Sequence, residues 1–591
     1  MNIIKSFSIL IAFLLTGTLY GQSVNLEWVR HNAGAEGRII ADTITLDTNN
    51  NIYLAGTFEG DNGVTNIDFD PTDGIATVDS IGREDIYIQK LTSAGAFEWV
   101  KVVGGTQGDS VTSIQTDSDE NLIIVGTFRD TVDFDPGAGT YELSSNGGDD
   151  IYVLKLKSNG DFLWAKSFGG SSYDNSPNVV LDAQDNIVAS GAFEGTVDFD
   201  PDPGAAETYR LSSNGGDDIY VLKLNADGNF VWAKSFGGSS YEDSPNVVLD
   251  AQGNTVVSGT FSGTVDFDPD PSAAGTYSLS SKGNTDIYVL KLNTDGDFVW
   301  AKSFGGSSYE DNPKLVLDAQ DNTVVSGSFS GTVDFDPDPS AAETYRLSSN
   351  GDYDVYVLKL NADGDFVWAK SFGGSGYEDN LNVVLDAEGN TVVSGTFEGT
   401  VDFDPGTGTH ELSSNGSADV YILKLNADDG AFVWAKSFGG LSYESIPNVV
   451  LDAQENIVVF GTFGGTVDFD PQTDRTDDTF TTGVRSDDDG VTQRDTYILK
   501  YTQSTLDISN LAHQQNMIAY PNPSSGQITL DFGVVVDKVD IRVLNLFGQV
   551  VSEGAYNQVS QLPLAIAGAV GLYWVEVTID GSKEVFSVIK K

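Results

Sequence analysis

The residues of this chain best suited to chemistry are carboxylates set in alternation. Asp198, Asp200 and Asp202 form one such run, Asp266, Asp268 and Asp270 a second, and Asp334, Asp336 and Asp338 a third, each within the string DFDPD. Side chains of an extended segment alternate between two faces, so alternate carboxylates share one face, and Ca²⁺ takes about six to eight oxygens of this kind. The three runs are therefore candidate calcium sites, with calcium as the candidate cofactor. A turn is the competing reading. No EF-hand-like Gly and distal Glu follow, the third Asp is missing where the string reads DFDPG, and Pro after the second Asp suits a plain turn. A second candidate set is Tyr173, Tyr241, Tyr309, Tyr377 and Tyr443, in SSYED-type segments. An aromatic ring beside carboxylates suits stacking and hydrogen bonding to a sugar, while packing on a neighbouring unit is the alternative. The only histidines, His31, His410 and His513, have no partner at triad or metal-ligand spacing. No catalytic residue is expected.

What must position these groups is a repeat. Trp28, Trp99, Trp164, Trp232, Trp300, Trp368 and Trp434 stand 71, 65, 68, 68, 68 and 66 residues apart. DFDP recurs in the same rhythm from Asp68 to Asp468, and a D-[IVT]-Y-[IV]-[LQ]-K run recurs from Asp85 to Asp495. Each marker occurs seven times, and such a period is read before any local feature. Within a unit the apolar residues alternate with period two, in runs such as PNVVLDA, NTVVSGTF, DIYVLKL and DFVWAKSF. AQGN and ADGD mark hairpin turns, where Gly supplies positive φ. Four antiparallel strands per unit predict an all-β, seven-bladed β-propeller over residues 23–501, whose radial packing protects sheet edges. An open solenoid is the alternative and needs capping repeats. The ends favour closure: LEWVR (Leu26–Arg30) matches only the fourth strand of a unit and DTYILKY (Asp495–Tyr501) only the third.

In their V-L-D-x-x-x-N-x-V-V-S-G-T-F and W-x-K-x-F-G-G segments the repeats resemble the SBBP-type β-propeller repeats of exported bacterial proteins. That resemblance implies a fold and leaves the activity open. The long D-to-A and B-to-C connections of each blade, which carry the Tyr and DFDP segments, emerge on one face. Binding residues gather on loops of a rigid scaffold, so this is the candidate face. The B-to-C excursion has the pattern of a hairpin of its own, VDF against TYSL or YEL.

Residues 1–22 read as a signal peptide, with Lys5 before a short apolar run that falls below the roughly 20 residues of a membrane span. No membrane span is expected in the mature protein. With no Cys, disulfides and thiolate metal sites are excluded. The net charge is −56, from 87 Asp and Glu against 31 Lys and Arg, which argues against nucleic acid as a partner. Residues 502–516 read as a linker after the acidic insert Gln472–Asp495.

From residue 517 the repeat stops, and alternating strands with Gly turns predict a small Ig-like β-sandwich. Tyr520, Pro521, Asn522, Pro523, Gly526, Gly548, Gly571, Tyr573, Lys590 and Lys591 carry a resemblance to the type A C-terminal sorting domain of the type IX secretion system of Bacteroidetes-type bacteria. It implies the type IX machinery as a partner of residues 517–591, and a secreted or surface-attached product. An enzyme needs an asymmetric set of groups, whereas near-identical units supply the same residues repeatedly. Two readings stand: a non-catalytic scaffold for binding or adhesion to an extracellular protein, and a glycan-binding propeller. A sialidase-like hydrolase is discounted, because that family's converging arginines have no counterpart among ten scattered Arg.

Overall fold

Two turns closed by a side-chain oxygen shape the repeating unit, as the stretch Glu242–Phe304 shows. Asp250 Oδ1 accepts from Gln252 N at 3.0 Å and Asn254 N at 2.8 Å, which folds Glu242–Leu249 back onto Thr255–Phe261. Asn293 Oδ1 does the same with Asp295 N and Asp297 N, both at 2.9 Å, and joins Asp286–Leu292 to Phe298–Phe304. Gly253 and Gly296 take positive φ in these turns, 81° and 80°, where a Cβ is disfavoured. The four strands are antiparallel and hydrogen-bonded in chain order. The second and third are buried along their whole length, because neighbouring sheets cover both of their faces.

The computed structural model describes residues 22–34, 37–60, 67–72, 74–200, 202, 209–268, 276–336, 345–471, 478–482, 494–505, 518–545, 550–566, 568–579 and 582–591. Almost all of the expected signal peptide, Asp270, Asp338, Gly548, His513 and most of the acidic insert and linker lie outside these residues. The described propeller unit is Val24–Gln503, and Ser504–Lys591 belongs to the second compact unit.

Small antiparallel sheets packed side by side give the first unit its propeller arrangement. Six blades, not seven, are each built from one continuous stretch, with first strands starting at Gly37, Ser110, Asp174, Glu242, Glu310 and Glu378. The remaining repeat markers belong to a composite sheet. In it Ser445–Leu451, Ile457–Gly464 and Arg494–Thr505 are joined by the N-terminal strand Gln22–Gly34. The strand Arg494–Thr505 outruns the expected Asp495–Tyr501, because Thr502 Oγ1 still reaches Asn25 O at 3.3 Å.

Successive blades are latched by the repeating Trp. A Cβ on Gly228 would lie 3.0 Å from the Trp164 ring, so the indole of one blade lies against the positive-φ glycine of the next blade's last turn. Trp28 of the composite sheet meets Gly95 of the first blade in the same way, at 3.1 Å. Trp28, Ile44, Leu54, Val458 and Phe460 share one apolar cluster there. Asn448 Nδ2 donates to Asp42 O at 3.4 Å, and Ala453 N to Asn50 Oδ1 at 3.0 Å.

The C-terminal unit is a single five-stranded antiparallel sheet around its own core of Ile528, Leu530, Val543, Val575 and Val588. Its long strands Gln527–Asn545 and Val550–Ala565 pair along most of their length. Hydrogen bonding therefore runs through all five strands, and the separate sheets expected of an Ig-like sandwich are not distinguished.

The latch makes a prediction. Trp28→Ala removes a buried aromatic and should lower propeller stability by about 3–5 kcal/mol in urea melts. Glu27→Ala, on the exposed side of the same strand, should change it by less than about 0.5 kcal/mol. Equal melts for Trp28→Ala and the parent would contradict the latch.

Candidate functional site

The DFDP segments open short hairpins. Thr264–Asp266 pairs with Ser278–Ser280, and the same pairing joins Thr196–Asp198 to Arg210–Ser212 and Thr332–Asp334 to Arg346–Ser348. The Phe of each DFDP is core: Phe199, Phe267 and Phe335 are buried. The first Asp closes the loop. Asp266 Oδ1 accepts from Asp268 N at 3.2 Å and Tyr277 N at 2.8 Å. Asp198 Oδ1 accepts from Asp200 N and Tyr209 N, and Asp334 Oδ1 from Asp336 N and Tyr345 N. Asp200 Oδ1 accepts in turn from Asp202 N at 3.1 Å. These carboxylate oxygens organise backbone.

The tyrosine set is exposed. Tyr173, Tyr241, Tyr309, Tyr377 and Tyr443 are all among the exposed aromatics, Tyr241 most of all at 69%. Each stands one residue before the first strand of a blade or, for Tyr443, two before the composite sheet's first strand. Tyr353 and Tyr377 form a ring pair at 5.1 Å, and Arg129 lies over the Tyr173 ring at 5.2 Å. The His410 ring packs 4.8 Å from Phe432, as Tyr277 packs 4.8 Å from Phe298 in an earlier blade.

Beneath this face lies a feature that sequence reading missed. Asp218 heads the third strand of one blade and Glu242 the first strand of the next, and both are buried. Between them runs the glycine pair of FGG. A Cβ on Gly237 would come 2.0 Å from Asp218 Cγ, and Gly238 N donates to Glu242 Oε2 at 2.9 Å. Asp286 with Glu310, Asp354 with Glu378, and Asp419 with Glu444 repeat the arrangement. Burial, then the neighbouring Asp218 charge, pushes Glu242 up to about 7. Burial, with Asp286 beside it, pushes Glu310 up to about 8. Among the described residues, Glu242 Oε1 and Glu310 Oε1 have no hydrogen-bond partner. The recurring Asp and Glu were visible in the repeat; their burial was not, since the same letters sit beside exposed loop residues.

The opposite end of each blade treats acid differently. Lys291 Nζ lies 2.9 Å from Asp250 Oδ2, Lys223 3.0 Å from Asp182 and Lys500 2.9 Å from Asp452. Burial alone would raise the Asp250 carboxyl, but bonds from Asn254 and Lys291 hold it below its ordinary value. Asp386, Glu388 and Glu455 approach one another at this end, where Lys424 pairs with Asp386 at 2.7 Å.

A central channel of about 450 Å³ is lined by the first strands of the blades. Asn178, Asn246, Asn382 and Asn448 form an amide belt there, and Lys314 replaces the amide in one blade. Asn382 Nδ2 donates to Asn448 Oδ1 at 3.0 Å. Burial lowers the Lys314 ammonium, against the opposing pull of Asp379 and Asp311.

In the C-terminal sheet the two ends of the sorting motif meet. Asn522 Nδ2 donates to Ser587 O at 2.7 Å and its Oδ1 accepts from Ile589 N at 2.9 Å. Lys590 Nζ donates to Ile566 O and Gly568 O, and its chain lies against Gly526, whose φ is 102°. Lys591 N reaches Ser524 O at 2.8 Å, and Tyr573 OH donates to Ala569 O at 2.7 Å. Tyr520 is exposed beside Pro521 and Pro523, and Gly571 opens the strand that carries Tyr573.

The family comparison sets the C-terminal unit apart. Residues 518–591 match the family described as the secretion system C-terminal sorting domain. An uncharacterized WD repeat-containing protein of Acanthamoeba polyphaga mimivirus is 24% identical over 490 residues, 71% of this chain and 35% of that protein. The regulatory protein FlaEY of Caulobacter vibrioides is 22% identical over 415 residues, 66% of this chain and 40% of that protein. The chain thus spans well under half the length of these relatives. Among solved structures, a protein of unknown function from Dyadobacter fermentans aligns over 81% of this chain and 99% of its own, at 10% identity and a TM-score of 0.32. The sorting domain indicates export through the type IX secretion system, with release from or attachment to the outer cell surface, and implies contact with that machinery. No helix among the described residues is long and apolar enough to cross a membrane.

The glycine pair is testable. Gly305→Ala would bring a Cβ within 2.0 Å of Asp286 Cγ. It should destabilise the propeller by about 1–3 kcal/mol, the usual scale of overpacking, read as a lowered urea midpoint. An unchanged midpoint would show that the boundary has room to spare.

Proposed function

We propose that this chain is an exported, non-catalytic β-propeller that binds extracellular partners through its tyrosine-bearing face. The observation that carries the reading is the set of exposed rings at equivalent positions, Tyr173, Tyr241, Tyr309, Tyr377 and Tyr443, each beside buried or exposed carboxylates. Repetition supports binding over catalysis, because five blade boundaries offer the same exposed ring and an enzyme needs groups with distinct roles.

Finer structural points belong to the same proposal. The composite sheet acts as a seventh blade that closes the ring, a reading supported by Trp28 on Gly95 and by the first blade's strand Gly37–Leu46 packing on Ser445–Leu451. The repeats are of the SBBP type, and the C-terminal sheet wraps its core in the manner of an Ig-like sandwich. Calcium at the DFDP runs would rely on second carboxylate oxygens such as Asp266 Oδ2, since Oδ1 holds the loop.

A glycan ligand is the second reading, favoured by aromatic rings set beside acceptors. A glycan array with the mature chain and its Tyr241→Ala/Tyr309→Ala variant separates the two. Array binding lost in the variant supports the lectin reading, whereas an empty array with retained protein binding supports the scaffold. Export has its own test. Ending the chain after Gln503 should leave the propeller folded and retained in the periplasm. Its appearance outside the cell at the full-length level would contradict the sorting role.

A further inference from the structure

One blade boundary carries its own ligand. In the second blade Arg129 follows the last residue of a strand, Phe128, and Asp149 precedes the next strand, Asp150–Leu156. Arg129 Nε donates to Asp149 Oδ1 at 2.6 Å, while its guanidinium lies 5.2 Å from the centre of the Tyr173 ring, from the third blade. A guanidinium held between an aromatic face and a carboxylate is a complete recognition unit: the plane stacks and the fork donates.

The next boundary has the same walls without the arginine. Asp217 stands where Asp149 does, one residue before Asp218–Leu224, and Tyr241 stands where Tyr173 does. The backbone bonds at the two boundaries correspond. Gly148 N donates to Ser172 O at 3.2 Å and Asp174 N to Asp149 O at 2.9 Å. At the next boundary Gly216 N donates to Ser240 O at 3.2 Å and Glu242 N to Asp217 O at 3.0 Å. Gly148 lies against the Tyr173 ring and Gly216 against the Tyr241 ring. Strand registers agree as well, Phe128 opposite Asp150 and Phe193 opposite Asp218. At the arginine's position the chain has Glu194, exposed, directly after Phe193.

We propose that the pocket formed by Tyr241, Asp217 and Glu194 binds a guanidinium from outside, an arginine side chain of a protein or peptide partner. The inference deepens the binding reading given above and rests on it. Charge supports it: replacing arginine by glutamate leaves Asp217 facing Glu194 and Asp243, and burial followed by those two charges raises its carboxyl above the ordinary value. The Asn175 amide only partly opposes this. An incoming cation relieves the repulsion and regains what Arg129 supplies one boundary earlier. Tyr241 is also the most exposed of the five rings, at 69% against 55% for Tyr173 beside Arg129. Arginine fits better than lysine because a point charge can neutralise the acids but cannot stack and fork together.

The test uses the mature chain and a tripeptide, acetyl-Gly-Arg-Gly-amide, with its citrulline counterpart as the neutral isostere, in roughly 0.15 M salt to screen the general negative field. Calorimetry should show the arginine peptide binding at least about tenfold more tightly than the citrulline peptide, a difference of about 1.4 kcal/mol. Tyr241→Ala should weaken it by a similar factor. Glu194→Arg should abolish binding by filling the pocket from within, while Glu411→Arg, the same charge change on a distant hairpin, should leave it intact. Melting curves establish that each variant is folded. Equal binding of both peptides, equal loss in Glu194→Arg and Glu411→Arg, or full binding in Glu194→Arg would each overturn the proposal. Glycan or protein binding without arginine-peptide binding would sink this inference alone; a chain that binds none of them would sink the binding reading too.

Discussion

Carboxyl groups buried against paired glycines, at the boundary between one blade and the next, are the constraint on which the propeller depends. Asp218 and Glu242, like Asp286 and Glu310, enter the boundary from different blades and are almost fully covered. Two like charges in such a place cannot both persist without a partner. The local donors are few, Gly238 N and Asn214 N among them, so the proton is the natural counterion. Raised values of about 6 for Asp150, Asp218 and Asp419, and about 8 for Glu444, all caused first by burial, express this. FGG follows from the same packing, since any Cβ at the first glycine collides with the carboxyl.

The other end of each blade solves the acid problem with lysine. Lys291 on Asp250 and Lys359 on Asp318 neutralise the turn-forming carboxylates, whose remaining oxygens hold the hairpin backbone. A blade is therefore acid-tolerant at one end and base-tolerant at the other. A net charge of −56 is thus not all solvated surface: part of it is built into the core, where burial shifts carboxyls such as Glu310 and Glu444 toward the protonated form.

Much of this was legible from letters alone, because it followed from local chemistry. VVLDAQGNTVV implies strand, glycine turn and strand, and the structure joins Glu242–Leu249 to Thr255–Phe261 through that turn, which Asp250 closes. DFDP was legible as either turn or metal loop, and the bonds at Asp198, Asp266 and Asp334 show it closing turns. Other features depend on what comes together from distant parts of the chain. The mate of Asp218 is Glu242, at the head of the next blade's first strand. Only packing puts Lys314 into the channel. The composite sheet, by contrast, was legible at long range, because LEWVR lacked the third strand that DTYILKY supplies, and Gln22–Gly34 does pair with Arg494–Thr505. Repetition also concealed differences: Arg129 and Glu194 occupy one structural position, and only the scaffold around them makes that visible.

The central physical claim is that protons hold the blade boundaries, and thermal unfolding of the mature chain against pH tests it most directly. For carboxyls raised to about 6–8, against about 4 in an unfolded chain, the native state binds more protons between those values. Their contribution is complete below about pH 4 and is lost as pH rises through 6–8. The lysine-paired Asp250 set is shifted downward, so its contribution is lost below about pH 4. The melting midpoint should therefore peak near about pH 4 and fall toward pH 8. High salt should not abolish that fall, because buried groups are poorly screened, and Glu310→Gln should flatten it. A midpoint that stayed level or rose from pH 5 to pH 8 would contradict the account.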